Sequence, residues 1–208
     1  CDVFGYMPVA GDRHLIEFIP SLCNQSTGWG MMYGVRKTVV PQRVRAKEHG
    51  LREIQEMASG QRQPDWKRSH EEMTVILDAL LTGSETVGIM NLPNRGQITN
   101  LPSERVVETL ADVKPDGSIV PRNAGDLPPP LAVMCRTQTE IIELAVEAAL
   151  NGNRDLFVQA LALDPLSADA SLGEISDLAD EFLHNNRFWL PRFYDEGDPG
   201  HVADHERE

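Results

Sequence analysis

The chain has 208 residues, and 41% of them are hydrophobic, which is enough to build a substantial core in a globular protein. Its formal net charge of −13 argues against a nucleic-acid partner, because binding to phosphate backbones depends on clustered lysine and arginine. No apolar run approaches the ~20 residues of a membrane span, so no membrane partner is expected. The three cysteines have neither disulfide nor metal spacing, which favours a cytoplasmic setting.

The segment from Pro8 to Pro20 places several ionisable side chains beside a glycine. Gly11 can adopt backbone conformations that other residues avoid, and Asp12 is a good helix N-cap. Asp12, Arg13 and His14 are therefore predicted to lie at a junction between a loop and a helix. The residue types alone leave two interpretations open, a structural junction in which Asp12 only caps the helix, or part of a functional site.

Residues 21–35 form a glycine-rich segment with four large apolar side chains, Trp29, Met31, Met32 and Tyr33. Exposed apolar patches mark contact sites, and aromatic residues and methionine are enriched in protein interfaces. The segment is predicted to be a loop that packs under a cofactor, a substrate or a neighbouring subunit, and we place it at or near a contact between the subunits of a homo-oligomer. A loop folded onto the core of its own domain is the alternative.

Regular secondary structure is predicted for most of the remaining chain. Apolar residues at helical spacing indicate one helix between Pro41 and Gly60 and a second between Pro64 and Gly83. Strands are expected at residues 85–91, 104–110 and 118–120, and further helices at residues 131–150, 155–163 and 172–184. The pattern predicts an α+β domain over residues 1–194, with the sheet packed against the helices before and after it. The charged segment 195–208 is predicted to be a disordered tail.

The connection between the first two strands, residues 91–102, is long and polar. It contains Asn94, Arg95 and Asn100. Amide side chains both donate and accept hydrogen bonds, which suits sugar hydroxyl groups, and the planar fork of arginine suits a carboxylate. The composition leaves two interpretations open: a solvated loop or a sugar-binding rim.

The chain resembles the C-terminal portion of the family 4 glycoside hydrolases, which depend on NAD and a metal, and most of all their α-galacturonidase branch. The resemblance is carried, in order, by Phe4-Gly5-Tyr6, residues 8–20, residues 94–102, Val106-Val107-Glu108, residues 143–149, Asp164-Pro165-Leu166 and Leu190-Pro191. It implies a mixed β-sheet packed with helices, as in the C-terminal domain of lactate and malate dehydrogenases. The family's nucleotide-binding domain, and the Cys and His that hold its metal, are expected before this segment, so the chain is interpreted as part of a longer enzyme and is expected to be inactive alone.

The resemblance also implies a mechanism that differs from the usual pair of carboxylates. NAD oxidises the C3 hydroxyl of the sugar, a base removes the C2 proton, and the glycosidic bond is eliminated, while a metal such as Mn²⁺ polarises the sugar oxygens. NAD and Mn²⁺ are the implied cofactors, held mainly outside this chain. The implied base is Asp12, with Tyr6 and Tyr33 as the competing residues.

A small-molecule sugar, an α-linked uronic acid, is the implied substrate. The residues implied to bind it are Arg13, His14, Asn94, Arg95 and Asn100, with one of the two arginines pairing with the uronate carboxylate. Two alternatives stay open: a 2-hydroxyacid dehydrogenase of the lactate and malate type, and an inert substrate-lid and dimerisation domain. The polar segment 91–102 favours the glycosidase, because a small hydroxyacid offers little for several amides to bind.

Overall fold

The computed structural model describes residues 5–6, 12–36, 39–67 and 72–194, with the backbone alone at residues 12 and 13. Its elements, in chain order, are the helices α1 (Asp12–Leu15), α2 (Val40–Ala58) and α3 (Met73–Thr82), the strands β1 (Thr86–Pro93), β2 (Val106–Val113) and β3 (Ile119–Pro121), and the helices α4 (Pro129–Asn151), α5 (Arg154–Leu163) and α6 (Leu172–Asn185). The predicted α+β class is confirmed. In the part of the chain that the structure describes, no helix is both long and apolar enough to cross a membrane.

The three strands form an antiparallel sheet in the order β1-β2-β3. β2 alternates exposed and buried residues, and Ala111 and Val113 on its inner face are fully buried. Helix α3 covers this sheet and approaches β1 closely at Gly88, where an added Cβ would lie 3.0 Å from the Cδ1 atom of Ile76. A glycine at this position therefore sets the distance between helix and strand.

A second core lies in the C-terminal half, where α4, α6 and the 3-10 turn Pro191–Tyr194 enclose Ala148, Leu183 and Phe193. Arg154 at the start of α5 links this helix to α6. Its Nε and Nη2 atoms donate to the two carboxylate oxygens of Asp180 at 2.5 and 2.8 Å. These hydrogen bonds raise the pKa of Arg154 and give the paired, bidentate geometry that arginine forms best with a carboxylate.

Two details of the helices correct the sequence-based predictions. The sequence predicts that the second helix opens at Pro64, but residues 63–67 have no regular structure and α3 begins at Met73. It also predicts that the helix after Pro41 packs against the sheet, yet no residue of α2 is buried. An amphipathic pattern identifies the apolar face of a helix, but it does not identify what covers that face.

The start of α6 yields a prediction about pH. Ser171 and Glu174 form a capping box in which each side chain bonds the other residue's backbone N–H. The backbone N–H and the hydroxyl of Ser171 hold the pKa of Glu174 below its usual range. A lowered pKa contributes stability above the ordinary value, and that stability is lost as the pH falls through the lowered pKa.

We expect Ser171→Ala to lower the Tm by about 2–4 °C at neutral pH, because loss of an N-cap destabilises a helix. Glu174→Gln is the matched variant, because glutamine can still accept the hydrogen bonds but does not titrate. Thermal melts between pH 7 and pH 3 should show a smaller loss of stability for Glu174→Gln than for the parent. Equal pH profiles for the two would refute the assignment.

Candidate functional site

The connection between β1 and β2 is a folded loop organised around one buried amide. We call residues 94–105 the site loop. Asn94 is 1% exposed. Its Nδ2 atom donates to the carbonyl oxygens of Ile98, Leu101 and Pro102 at 2.9, 3.1 and 3.0 Å, and its Oδ1 atom accepts from the N–H groups of Gly96 and Ile98 at 3.3 and 3.1 Å. One side chain thus supplies the hydrogen-bond partners that the backbone groups of a loop normally lack.

The site loop is also docked on the segment that leads into α4. Asn100 exchanges two hydrogen bonds with the backbone of Leu127, donating to its carbonyl at 2.7 Å and accepting from its N–H at 2.9 Å. Ile98 forms a parallel β-bridge with Gly125. Gln97, 4% exposed, donates to the carbonyl of Pro93 at 2.8 Å. Residues 123–127 therefore form the floor of the loop.

Two arginines tie the site loop to α4. Arg105 reaches Glu140 at 3.1 Å and Glu143 at 3.3 Å, and its hydrogen bond to Glu140 raises the pKa of Arg105. Arg136 of α4 donates to the carbonyl of Asn100 at 3.0 Å. The loop is thus held at its centre, at its floor and at its C-terminal end.

The side chain of Arg95 extends from the site loop into solvent. Its side chain is 74% exposed, and its Nε atom lies 3.7 Å from the Oε1 atom of Glu104, itself 64% exposed. Exposed pairs at such a distance contribute little to stability, so the guanidinium can change partner at little cost. The backbone N–H of Arg95 is fixed by the Oε1 atom of Gln97 at 2.6 Å, so the side chain starts from an ordered backbone.

The N-terminal segment forms a separate junction. A helix begins here as predicted, but Asp12 is its first residue and not the N-cap before it, and the side chains of Asp12 and Arg13 lie outside the described residues. His14 is exposed, and its Nδ1 atom lies 3.7 Å from a carboxylate oxygen of Glu17. Ile16 is buried and anchors the junction.

The structure places three predicted substrate-binding residues, Asn94, Arg95 and Asn100, on the site loop. Among the described residues, no hydrogen bond or ion pair joins the site loop to α1, where the other predicted residues lie. The amides of Asn94 and Asn100 serve the loop itself in this conformation. Their contact with substrate stays a prediction, as do the roles of Asp12, Arg13 and His14. Sequence reasoning missed Gln97 and Arg105, because amides and arginines in a polar loop carry no signal of which ones turn inward.

The described residues do not assemble a metal site. They contain no group of three histidine, cysteine, aspartate or glutamate side chains that could hold a metal ion. The ligand set expected for a divalent metal is therefore not provided by this part of the chain.

Comparison with solved structures places this fold among glycosidases. The Bacillus subtilis protein lplD superposes with a TM-score of 0.76 at 30% identity, over 88% of this chain and 41% of that one. A 6-phospho-beta glucosidase from Thermotoga maritima, solved with manganese, NAD⁺ and glucose-6-phosphate, has a TM-score of 0.61 at 22% identity, over 74% of this chain and 37% of that one. The second likeness shows the fold alone.

The chain belongs to glycosyl hydrolase family 4, because residues 1–167 match the family 4 glycosyl hydrolase C-terminal domain. The alpha-galacturonidase of Lachnoclostridium phytofermentans is 34% identical over 194 residues, which are 91% of this chain and 41% of that relative. The chain thus spans about two fifths of the length of such relatives, in agreement with the predicted C-terminal portion. Family membership favours the glycosidase over the dehydrogenase.

Proposed function

We propose that this chain forms the substrate-binding side of a glycosidase that acts on an α-linked uronic acid. The observation that carries the proposal is the exposed guanidinium of Arg95 on a loop whose backbone is fixed by Asn94. The similarity to alpha-galacturonidases over nine tenths of the chain supports a uronic acid rather than a neutral hexose. Arg13 remains the second candidate for the carboxylate.

An arginine on a rigid frame is suited to recognise a carboxylate. Its five N–H donors lie in one plane and can form two parallel hydrogen bonds with the two carboxylate oxygens. Because Asn94 and Gln97 already order the backbone on both sides of Arg95, little loop entropy is lost on binding. Glu104 is the group that a substrate carboxylate would replace.

The cofactors and the wider setting belong to the proposal as well. We propose NAD and a divalent metal such as Mn²⁺ for the complete enzyme. The support is family membership and a solved relative that holds both. They would be held mainly by residues outside this chain, since the described residues lack a metal-ligand cluster. The cytoplasmic setting and the homo-oligomer likewise stay predictions.

The test is the substrate preference of Arg95 variants in the full-length enzyme. We expect Arg95→Ala to lower kcat/KM for an α-galacturonide by about 100-fold, because a charge-assisted hydrogen-bond pair is lost. The matching neutral α-galactoside should change by less than about 3-fold, because it has no carboxylate to lose that pair. For the α-galacturonide, the kcat/KM of Arg95→Lys should lie between those of the parent and Arg95→Ala, because lysine keeps the charge but loses the planar fork.

Arg187→Ala is the control, because this exposed arginine lies beyond the end of α6 and bonds the carbonyl of His184. It should leave kcat/KM for both substrates unchanged. If Arg95→Ala and Arg13→Ala each leave the preference for the uronide intact, the carboxylate assignment is wrong. Equal losses on both substrates would point to a general loss of loop structure instead.

A further inference from the structure

Helix α2 has an apolar stripe that the described chain leaves uncovered. None of its 19 residues is buried, and the exposed fractions of Val40, Val44, Leu51 and Ile54 are 67%, 48%, 50% and 59%. These residues follow one another at intervals of four, seven and three positions, as the a and d positions of a heptad repeat do. We call the full set the seam; it consists of Val40, Val44, Lys47, Leu51, Ile54 and Ala58.

The opposite face of α2 is engaged within the chain. Arg62, beyond the end of the helix, folds back so that its Nη1 atom lies 2.7 Å from Glu53 and 3.8 Å from Glu56. His49 lies 3.5 Å from Glu53 on the same side. The ion pairs therefore lie on the polar face, and the seam takes no part in them.

The seam has a symmetry that a self-contact requires. Position 49 is the midpoint of the seam, and Val44 and Ile54 each lie five residues from it, one on either side. Lys47 and Leu51 form the next pair and lie two residues from it. In a contact across a two-fold axis, residues equally distant from the axis face each other, so Val44 would face Ile54 and Lys47 would face Leu51.

The charges select an antiparallel pair. Residues 40–47 contain three cations and no acidic residue, whereas residues 48–58 contain three acidic residues and one arginine. A parallel pair would place Lys47 against Lys47 of the second copy. An antiparallel pair sets Lys47 opposite Leu51 and within one turn of Glu48 of the second copy, and it separates the two Arg43 residues by ~18 Å along the axis.

We propose that α2 packs antiparallel against α2 of a second copy of this chain, with the two-fold axis crossing the seam at the level of residue 49 along the helix. The contact buries the seam of both helices and joins the cationic half of each to the acidic half of the other. This inference is independent of the sugar specificity, and it names a contact other than the loop at residues 21–35.

Cysteine cross-linking of the full-length protein tests the geometry. In a Cys135→Ser background, which removes the exposed thiol among the described residues, the double variant Val44→Cys with Ile54→Cys should yield more covalent dimer on mild oxidation than the background alone. The two positions are ~15 Å apart within one helix, so they cannot bridge intramolecularly. Val44→Cys alone should not cross-link, because an antiparallel pair holds the two copies of position 44 apart.

The matched control is Gln42→Cys with Glu56→Cys, two positions at equal distances from His49 but on the opposite face of α2. It should give no more dimer than the background. Cross-linking by Val44→Cys alone would indicate a parallel pair, and cross-linking no stronger than the control would exclude the contact. Both results overturn the proposal.

A charge on the seam gives an independent readout. Ile54→Lys should weaken dimerisation at least tenfold in sedimentation or light scattering at decreasing concentration, because it places a cation in the apolar seam beside Arg43 of the second copy. Gln42→Lys makes the same change on the opposite face and should have no effect. An unchanged dimer in Ile54→Lys, or a monomer whose melting temperature falls because another part of the same protein covers α2, would disprove the self-contact.

Discussion

Replacing Gly152 with alanine should lower the free energy of unfolding by about 3 kcal/mol, the largest effect on stability that we expect from a single methyl group. Gly152 ends α4 with a φ of +67°, a conformation that L-residues avoid. An added Cβ would lie 2.7 Å from the carbonyl carbon of Arg192 and closer still to its oxygen. The turn that carries buried Phe193 would have to move, and urea denaturation should record the loss.

Gly117→Ala is the control for the backbone conformation alone. Gly117 has a φ of +82° in the turn between β2 and β3. Apart from the two residues next to it in the chain, no atom lies within 4 Å of the position that an added Cβ would take. It should cost about 1 kcal/mol, the strain of a left-handed residue without a clash. If the two variants cost the same, the close approach of Arg192 to the end of α4 is not important for stability.

Asp12→Asn should slow exchange of the sugar C2 proton with deuterated water by at least ~100-fold in the full-length enzyme with its cofactors present, because a general base would be lost. The proposed step is transfer of that proton to the Asp12 carboxylate. An aspartate with a pKa near ~3.9 is a weak base, so the proton must already be acidic or the carboxyl partly buried. Folding should be retained, because asparagine has nearly the same size as aspartate and α1 is only four residues long.

Glu17→Gln makes the same carboxylate-to-amide change a short distance along the segment, where Glu17 is half-buried beside His14. It should leave the exchange rate unchanged. Exchange at the parental rate in Asp12→Asn would remove Asp12 as the base. The assignment would then pass to Tyr6 or Tyr33, which are 48% and 54% exposed.

The sequence predicts most of the helices and strands because their ends carry strong local signals. Gly83 and Gly152 both end helices in the left-handed conformation, and Asp116-Gly117 forms the expected turn before β3. Pro64 gives a false start for α3, because a proline that could open a helix is equally stable in an extended segment.

The candidate site is less predictable, because its arrangement depends on which side chains turn inward. Asn94 and Arg95 are neighbours in a polar loop, yet one is 1% exposed and the side chain of the other is 74% exposed. Local composition cannot separate them, since an amide satisfies buried backbone groups as well as it binds a hydroxyl. The uncovered face of α2 shows the same limit: periodicity identifies the face but not its partner.

The division of the site loop into a buried frame and an exposed rim makes it a natural cassette for redesign. The side chains that fix its shape, Asn94, Gln97, Ile98 and Leu101, point inward, whereas Arg95 and Glu104 face outward. A library confined to the outward positions can vary charge and hydrogen bonding while every member inherits the same backbone. The charge that the loop presents can thus be changed without rebuilding the loop itself.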